Sequence, residues 1–249
     1  MWVQEAGQNS DFVLSANQFS NLIDENKHNI PDLYKHLYVS DSQFLIGTVQ
    51  NLYSAICECL CDYYIHITDI HSPTIPNQVD SIYTVTSVQS RYLSSIIETY
   101  FTKAYSILDI ICKIAYEIEN PRDIFTTHEK LKSDKILWGG RKHLTINKTP
   151  NTFFEYSDLI KKIESLRNEV VHNGTWELNP KVFIKVKNET IIERFMLFPD
   201  FDNGHLSSVK NRKHFFSSGE KINDILPVIH NEFSNLLLNT IKLLNFLGD

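Results

Sequence analysis

The sequence predicts a mostly α protein: four long helices packed as a bundle, with an N-terminal arm and an inserted β-hairpin. Two patterns predict this. Apolar residues recur with helical period over about 41–67, 81–119, 156–173 and 219–247. A single stretch, from about 182 to 195, alternates apolar and polar residues as a strand pair does. A chain of 249 residues with 42% hydrophobic content is long enough to bury a substantial core. We divide it into an arm, residues 1–40, and a helical domain, 41–249, with insertions at about 120–155 and 177–218.

Within the arm, Phe12, Leu14, Phe19 and Leu22 offer apolar side chains for docking, and Pro31 starts a short helical turn. Ser40 and Ser42 mark the next helix start. From there Leu45, Val49, Leu52, Tyr53, Ile56, Leu60 and Tyr63 keep a helical stripe. Cys57 and Cys61 lie four apart on this helix, with His66 and His71 beyond. That spacing fits no paired zinc signature, so the thiols read as small core residues and no metal or other cofactor is expected. Three of the four cysteines crowd into Cys57–Cys61, a poor disulfide framework that points to reduced thiols in a cytoplasm. The N-terminus does not read as a secretory signal, and no apolar run is long enough to span a bilayer.

After the turn-rich His71–Asn77 connector, a second helix is expected from about Ser81 to Glu119. Its stripe runs from Leu93 through Ile97, Tyr100, Phe101, Ala104, Tyr105 and Leu108 to Ala115. Asn120-Pro121 ends it. The following segment holds Trp138-Gly-Gly-Arg141-Lys142-His143, read as a basic loop facing substrate; it has no Walker or dinucleotide pattern. The last helix, from about Gly219 to Leu247, carries Ile222, Ile229, Phe233, Leu237 and Leu244, with Pro227 as a candidate kink.

The third helical stretch carries the chemistry. Ser157 or Asp158 can cap its start, Leu159, Ile163, Leu166 and Val170 form its stripe, and Asn173-Gly174 is a natural left-handed stop. Near its end lie Arg167, Asn168 and His172. A His in a last turn and a Glu164–Arg167 pair are also ordinary helix-surface features. The same residues are what metal-free RNA cleavage needs: a guanidinium fork for phosphate and a group that moves a proton near neutrality. Five residues turn a helix through about 140°. Arg167 and His172 therefore converge only if the last turn loosens or if two copies meet.

The pattern Arg167-Asn168-Glu-Val-Val-His172, followed by Asn-Gly, resembles the signature of the HEPN superfamily (higher eukaryotes and prokaryotes nucleotide-binding). The resemblance implies a helical bundle that dimerises, two Arg–His motifs in one cleft, and a metal-independent endoribonuclease that cleaves single-stranded RNA through 2′-OH attack. It assigns Arg167, His172 and Asn168 as catalytic, and offers Glu98 or Asp109 to orient Arg167. A toxin or antiphage defence effector is implied, with an antitoxin or defence partner protein. The alternative within the family is a non-catalytic nucleotide-binding or dimerisation scaffold. A plain helical interaction protein is a third reading. Some relatives carry a Tyr two residues after the His; here Gly174 stands there.

Net charge is −6, which argues against a general nucleic-acid coat. The distribution is uneven. Residues 41–120 hold three basic against nine acidic side chains, whereas 122–150 hold seven basic against three acidic. Lys210, Arg212 and Lys213 form a second basic cluster with no acid between residues 205 and 219. Arg141, Lys142, Arg212 and Lys213 are thus the expected RNA-binding residues, flanking the motif helix on both sides.

Overall fold

The structure is a computed structural model and describes residues 42–70, 81–120, 136–209 and 213–248. The N-terminal arm, His71 and Arg212 lie outside them, and of Lys213 only the backbone is described. The chain is mostly helical with a small antiparallel sheet, as expected.

Helix α1 (Ser42–Thr68) buries Val49, Tyr53, Ile56, Cys57, Leu60 and Tyr63, the face its stripe predicts. Strand β1 follows (Ser81–Val85), then helix α2 (Val88–Glu119). This corrects the expected helix start at Ser81. Ser81-Ile-Tyr-Thr-Val85 alternates between half-buried and exposed positions and pairs with a strand a hundred residues later. Helix α2 begins where a capping box forms. The Ser87 hydroxyl accepts from Ser90 N (3.2 Å) and the Ser90 hydroxyl accepts from Ser87 N (2.8 Å).

Within the segment expected as a basic loop, the described residues 136–155 form two short 3-10 turns, Trp138–His143 and Phe153–Glu155. Trp138, Phe153 and Phe154 are fully buried. Helix α3 (Asp158–Asn173) holds the Arg–His motif, with Ser157 at the N-cap position but making no side-chain cap bond. The hairpin forms as expected from β2 (Val182–Lys187) and β3 (Thr190–Phe195). Asn188 (φ 49°) and Glu189 (φ 62°) make its tight turn. Strand β2 is central, with β1 on its other edge.

Two short ribbons follow, β4 (Phe201–Asp202) with β5 (His205–Leu206), and β6 (Ser208–Val209) with β7 (Lys213–His214). The β4–β5 turn presses on the start of α3. A side chain at Gly204 would meet Asp158 O and Lys161 Cβ, each at 2.8 Å, and its φ of +80° also favours glycine. Helix α4 (Ile222–Gly248) starts three residues later than Gly219 and runs on through Pro227.

The four helices share one hydrophobic core. At its centre lies a polar group of residues. His230 is fully buried, its Nδ1 3.1 Å from the Tyr100 hydroxyl, and its Nε2 3.8 Å from Cys57 Sγ. Burial lowers this imidazole to about 4. Cys57 is therefore a core thiol, and Cys112 donates to Leu137 O at 3.1 Å. No helix among the described residues is long and apolar enough to cross a membrane.

Candidate functional site

Helices α2 and α3 pack side by side, and the polar edge of their contact collects six groups. Tyr105 and Asp109 stand four apart on α2, hence on one face. Glu164 and Arg167 stand three apart on α3. Arg141 comes from the first 3-10 turn, and Tyr156 closes the second in a left-handed conformation (φ 57°, ψ 48°). Such a backbone is costly for a tyrosine. It places the ring over Arg141 and the hydroxyl on Glu164.

The two arginines are held by aromatic faces. Arg167 Cζ lies 4.5 Å from the Tyr105 ring centroid, and its Nη1 donates to Asn168 Oδ1 at 3.0 Å. Arg141 is sandwiched, with Cζ 4.1 Å from the Tyr156 centroid and 4.7 Å from that of Trp138. Its Nη1 donates to Trp138 O at 3.0 Å. Stacking of this kind fixes the plane of a guanidinium while leaving edge N–H groups available to an anion.

The carboxylates brace the frame. The Tyr156 hydroxyl donates to Glu164 Oε2 at 2.8 Å. Asp109 Oδ1 accepts from Trp138 N at 2.8 Å. Burial raises the Asp109 carboxyl above its ordinary value, opposed by the Trp138 N–H and by Arg167. Burial, then the charges of Asp109 and Glu164, push the Tyr105 hydroxyl up to about 12, against the pull of Arg167 and Arg141. Burial and the Glu164 hydrogen bond likewise raise Tyr156. Glu98 serves elsewhere. Its Oε1 accepts from Thr175 Oγ1 (2.5 Å) and Trp176 N (3.3 Å), pinning the chain that leaves α3. Of the two carboxylates offered for orienting Arg167, only Asp109 is near enough to act on it.

The structure thus brings Arg167 and Asn168 together, but not His172. Helix α3 stays regular to Asn173, and Gly174, left-handed at φ 87°, donates to Val170 O at 2.8 Å. The last turn does not loosen. His172 is exposed, and among the described residues nothing partners its ring. Arg141 is half-buried in its aromatic sandwich, whereas Lys142 is exposed. With Lys148 and Tyr156 they line an open depression of about 430 Å³. Among the described residues, no group of three or more His, Cys, Asp or Glu converges as metal ligands would.

Sequence reading missed Tyr105, Trp138 and Tyr156 as supports. At helical spacing Tyr105 reads as a core position of the apolar stripe rather than as a stacking platform; the other two carry no local signal of what they stack on. Comparison with protein families, characterised proteins and solved structures yields no match for this chain.

Proposed function

We propose that the protein is a metal-independent endoribonuclease of the HEPN kind, a four-helix bundle acting as a homodimer on single-stranded RNA. One observation carries the reading. A single regular helix holds Arg167 braced on Tyr105 and Asn168, and presents at its end an exposed His172 with no partner among the described residues. His172 takes the proton from the ribose 2′-OH, and the oxygen attacks the adjacent phosphorus. The guanidinium of Arg167 stabilises the charge on the phosphorane. The P–O5′ bond breaks, the leaving 5′-oxygen takes the proton that the same His172 has accepted, and a 2′,3′-cyclic phosphate remains.

Because α3 keeps its helical geometry, Arg167 and His172 of one chain diverge. A two-fold dimer supplies the missing convergence, with Arg167 of one copy beside His172 of the other. RNA enters along Arg141 and Lys142, and Arg212 and Lys213 are the further basic residues that the sequence assigns to it. A cytoplasmic toxin or defence effector, held by an antitoxin or other partner protein, is the setting that the HEPN resemblance supplies.

The test is digestion of single-stranded RNA by purified protein in EDTA, with His172→Ala alongside. Wild type should cut and leave 2′,3′-cyclic phosphate ends; the variant should lose about 10²–10⁴-fold in rate. A second reading, a non-catalytic nucleotide-binding or scaffold module, draws on the packing of Arg167 against Tyr105, which a purely structural arginine would also show. A folded wild type that never cuts RNA without a metal would establish it in place of the first.

A further inference from the structure

A half-open cavity of about 440 Å³ lies beyond the end of α3, a size ordinary for a small-molecule site. It is built by the insertion, not by the helices. Trp176, Phe183, Met196, His214 and Phe216 line it, with Leu178 at its mouth, 70% exposed. The lining is held from behind. Phe183 stacks on Phe195, with centroids 5.3 Å apart and ring planes within 14°. Trp176 is fixed through its backbone N–H on Glu98.

Two lining rings carry polar atoms with nothing to bond. Trp176 Nε1 is shut off from solvent and has no acceptor among the described residues. The His214 side chain is 2% exposed, and neither ring nitrogen has a hydrogen-bond partner among the described residues. Its nearest carboxylate oxygen, Glu169 Oε1, is 3.9 Å from Nε2, too far to bond. Buried polar groups are as a rule satisfied, and a purely apolar occupant would leave these orphaned. Both rings belong to the cavity wall, so these nitrogens lie at or just behind its surface.

The site therefore asks for a flat, aromatic ligand with hydrogen-bonding edges. The indole can only donate, and a neutral imidazole donates through one nitrogen and accepts through the other. The ligand must offer an acceptor to Trp176, and a donor or acceptor to His214. Stacking surfaces with a few edge-reading groups are how single-stranded RNA bases are held. The position agrees, since Trp176 follows His172 by four residues and Glu169 precedes it by three. We infer that this cavity is a base-reading pocket that receives an unstacked RNA base next to the phosphate cut at the motif. The choice of an RNA base rests on the ribonuclease reading above.

Uncharged nucleosides separate the pocket from the phosphate chemistry. Adenosine, guanosine, cytidine and uridine are titrated calorimetrically into the full chain. His214→Leu and Leu178→Asp are titrated in parallel, the second altering only an exposed mouth residue so that folding is not at stake. At least one nucleoside should bind, and each variant should weaken it about tenfold or more. RNA cutting by the variants should then lose its preference at the base beside the cut, with His172 intact. No nucleoside bound by folded wild type up to about 10 mM, or equal binding by both variants, overturns the pocket. RNA cleavage by that same protein would leave the ribonuclease reading standing. Nucleoside binding that both variants lose, in a protein that cuts no RNA, keeps the pocket and removes the ribonuclease.

Discussion

Ten histidines are present; His172 is exposed at the end of α3, whereas His230 is fully buried. His230 gives the sharpest check of that distinction. It is fully buried between Tyr53, Tyr100 and Cys57, and its imidazole is lowered to about 4. In the unfolded chain the ring titrates near 6.5. The folded value is the lower one, so the unfolded state binds more protons below pH 6.5. The stabilisation is complete above that pH and is lost as pH falls toward 4. Linkage between those two values removes about 2 kcal/mol on going from pH 7 to pH 5, a sizeable share of the 5–15 kcal/mol typical of a domain. Urea titrations at pH 7, 6 and 5 read it directly. Other acid-sensitive groups, such as Asp200, held low at about 2 by Ser217 and Ser218, act equally in wild type and variant. The comparison is therefore with His230→Gln, which keeps hydrogen-bonding capacity but does not titrate there. The stability difference between the two proteins should shrink by about 2 kcal/mol from pH 7 to pH 5. Parallel curves would mean that the ring is already protonated, or reached by water, in the fold.

Mixing Arg167→Ala with His172→Ala should restore activity that neither variant has alone. Half of the randomly exchanged dimers contain one complete site, which gives about a quarter of the wild-type rate. A dead mixture with dimers demonstrably exchanged would overturn the shared site. Lys142→Ala should weaken RNA binding and reduce the slope of log affinity against log salt by about 1 without loss of fold stability, whereas Arg141→Ala should also cost stability through its two ring contacts. Equal salt slopes in wild type and Lys142→Ala would make that lysine plain solvated surface.

The helices were legible because burial enforces a period. Val49, Tyr53, Ile56 and Leu60 each fell on the face that α1 buries. Strand β1 was not legible, because five residues are too few for a period to outweigh the long apolar run that follows them. What makes Ser81–Val85 a strand is β2, which pairs from the far end of the chain. The capping box at Ser87 and Ser90 was present in the letters, but Ser-x-x-Ser is a weak mark beside the Glu or Gln usual at that position. The Trp138–His143 turn shows a related limit. Its charge is visible in composition, yet whether Arg141 hangs in solvent or lies between two rings depends on Tyr156, fifteen residues on.

The candidate site was legible as residue types and not as an arrangement. Spacing alone gave the angle between Arg167 and His172, but left open whether the helix would relax to reduce it. Gly174 decides that. By closing α3 with a left-handed residue bonded back to Val170, it keeps the last turn intact and His172 directed away from Tyr105. Asn168, one residue on from Arg167, then engages the guanidinium rather than the imidazole four residues further. Val171, beside His172, stays 50% exposed, an apolar side chain on the surface where a second copy would have to approach. Each feature that keeps one chain from uniting its own Arg and His leaves both residues for the proposed two-copy site to bring together. That is why the mixed-variant experiment bears on the helix end as directly as on the chemistry.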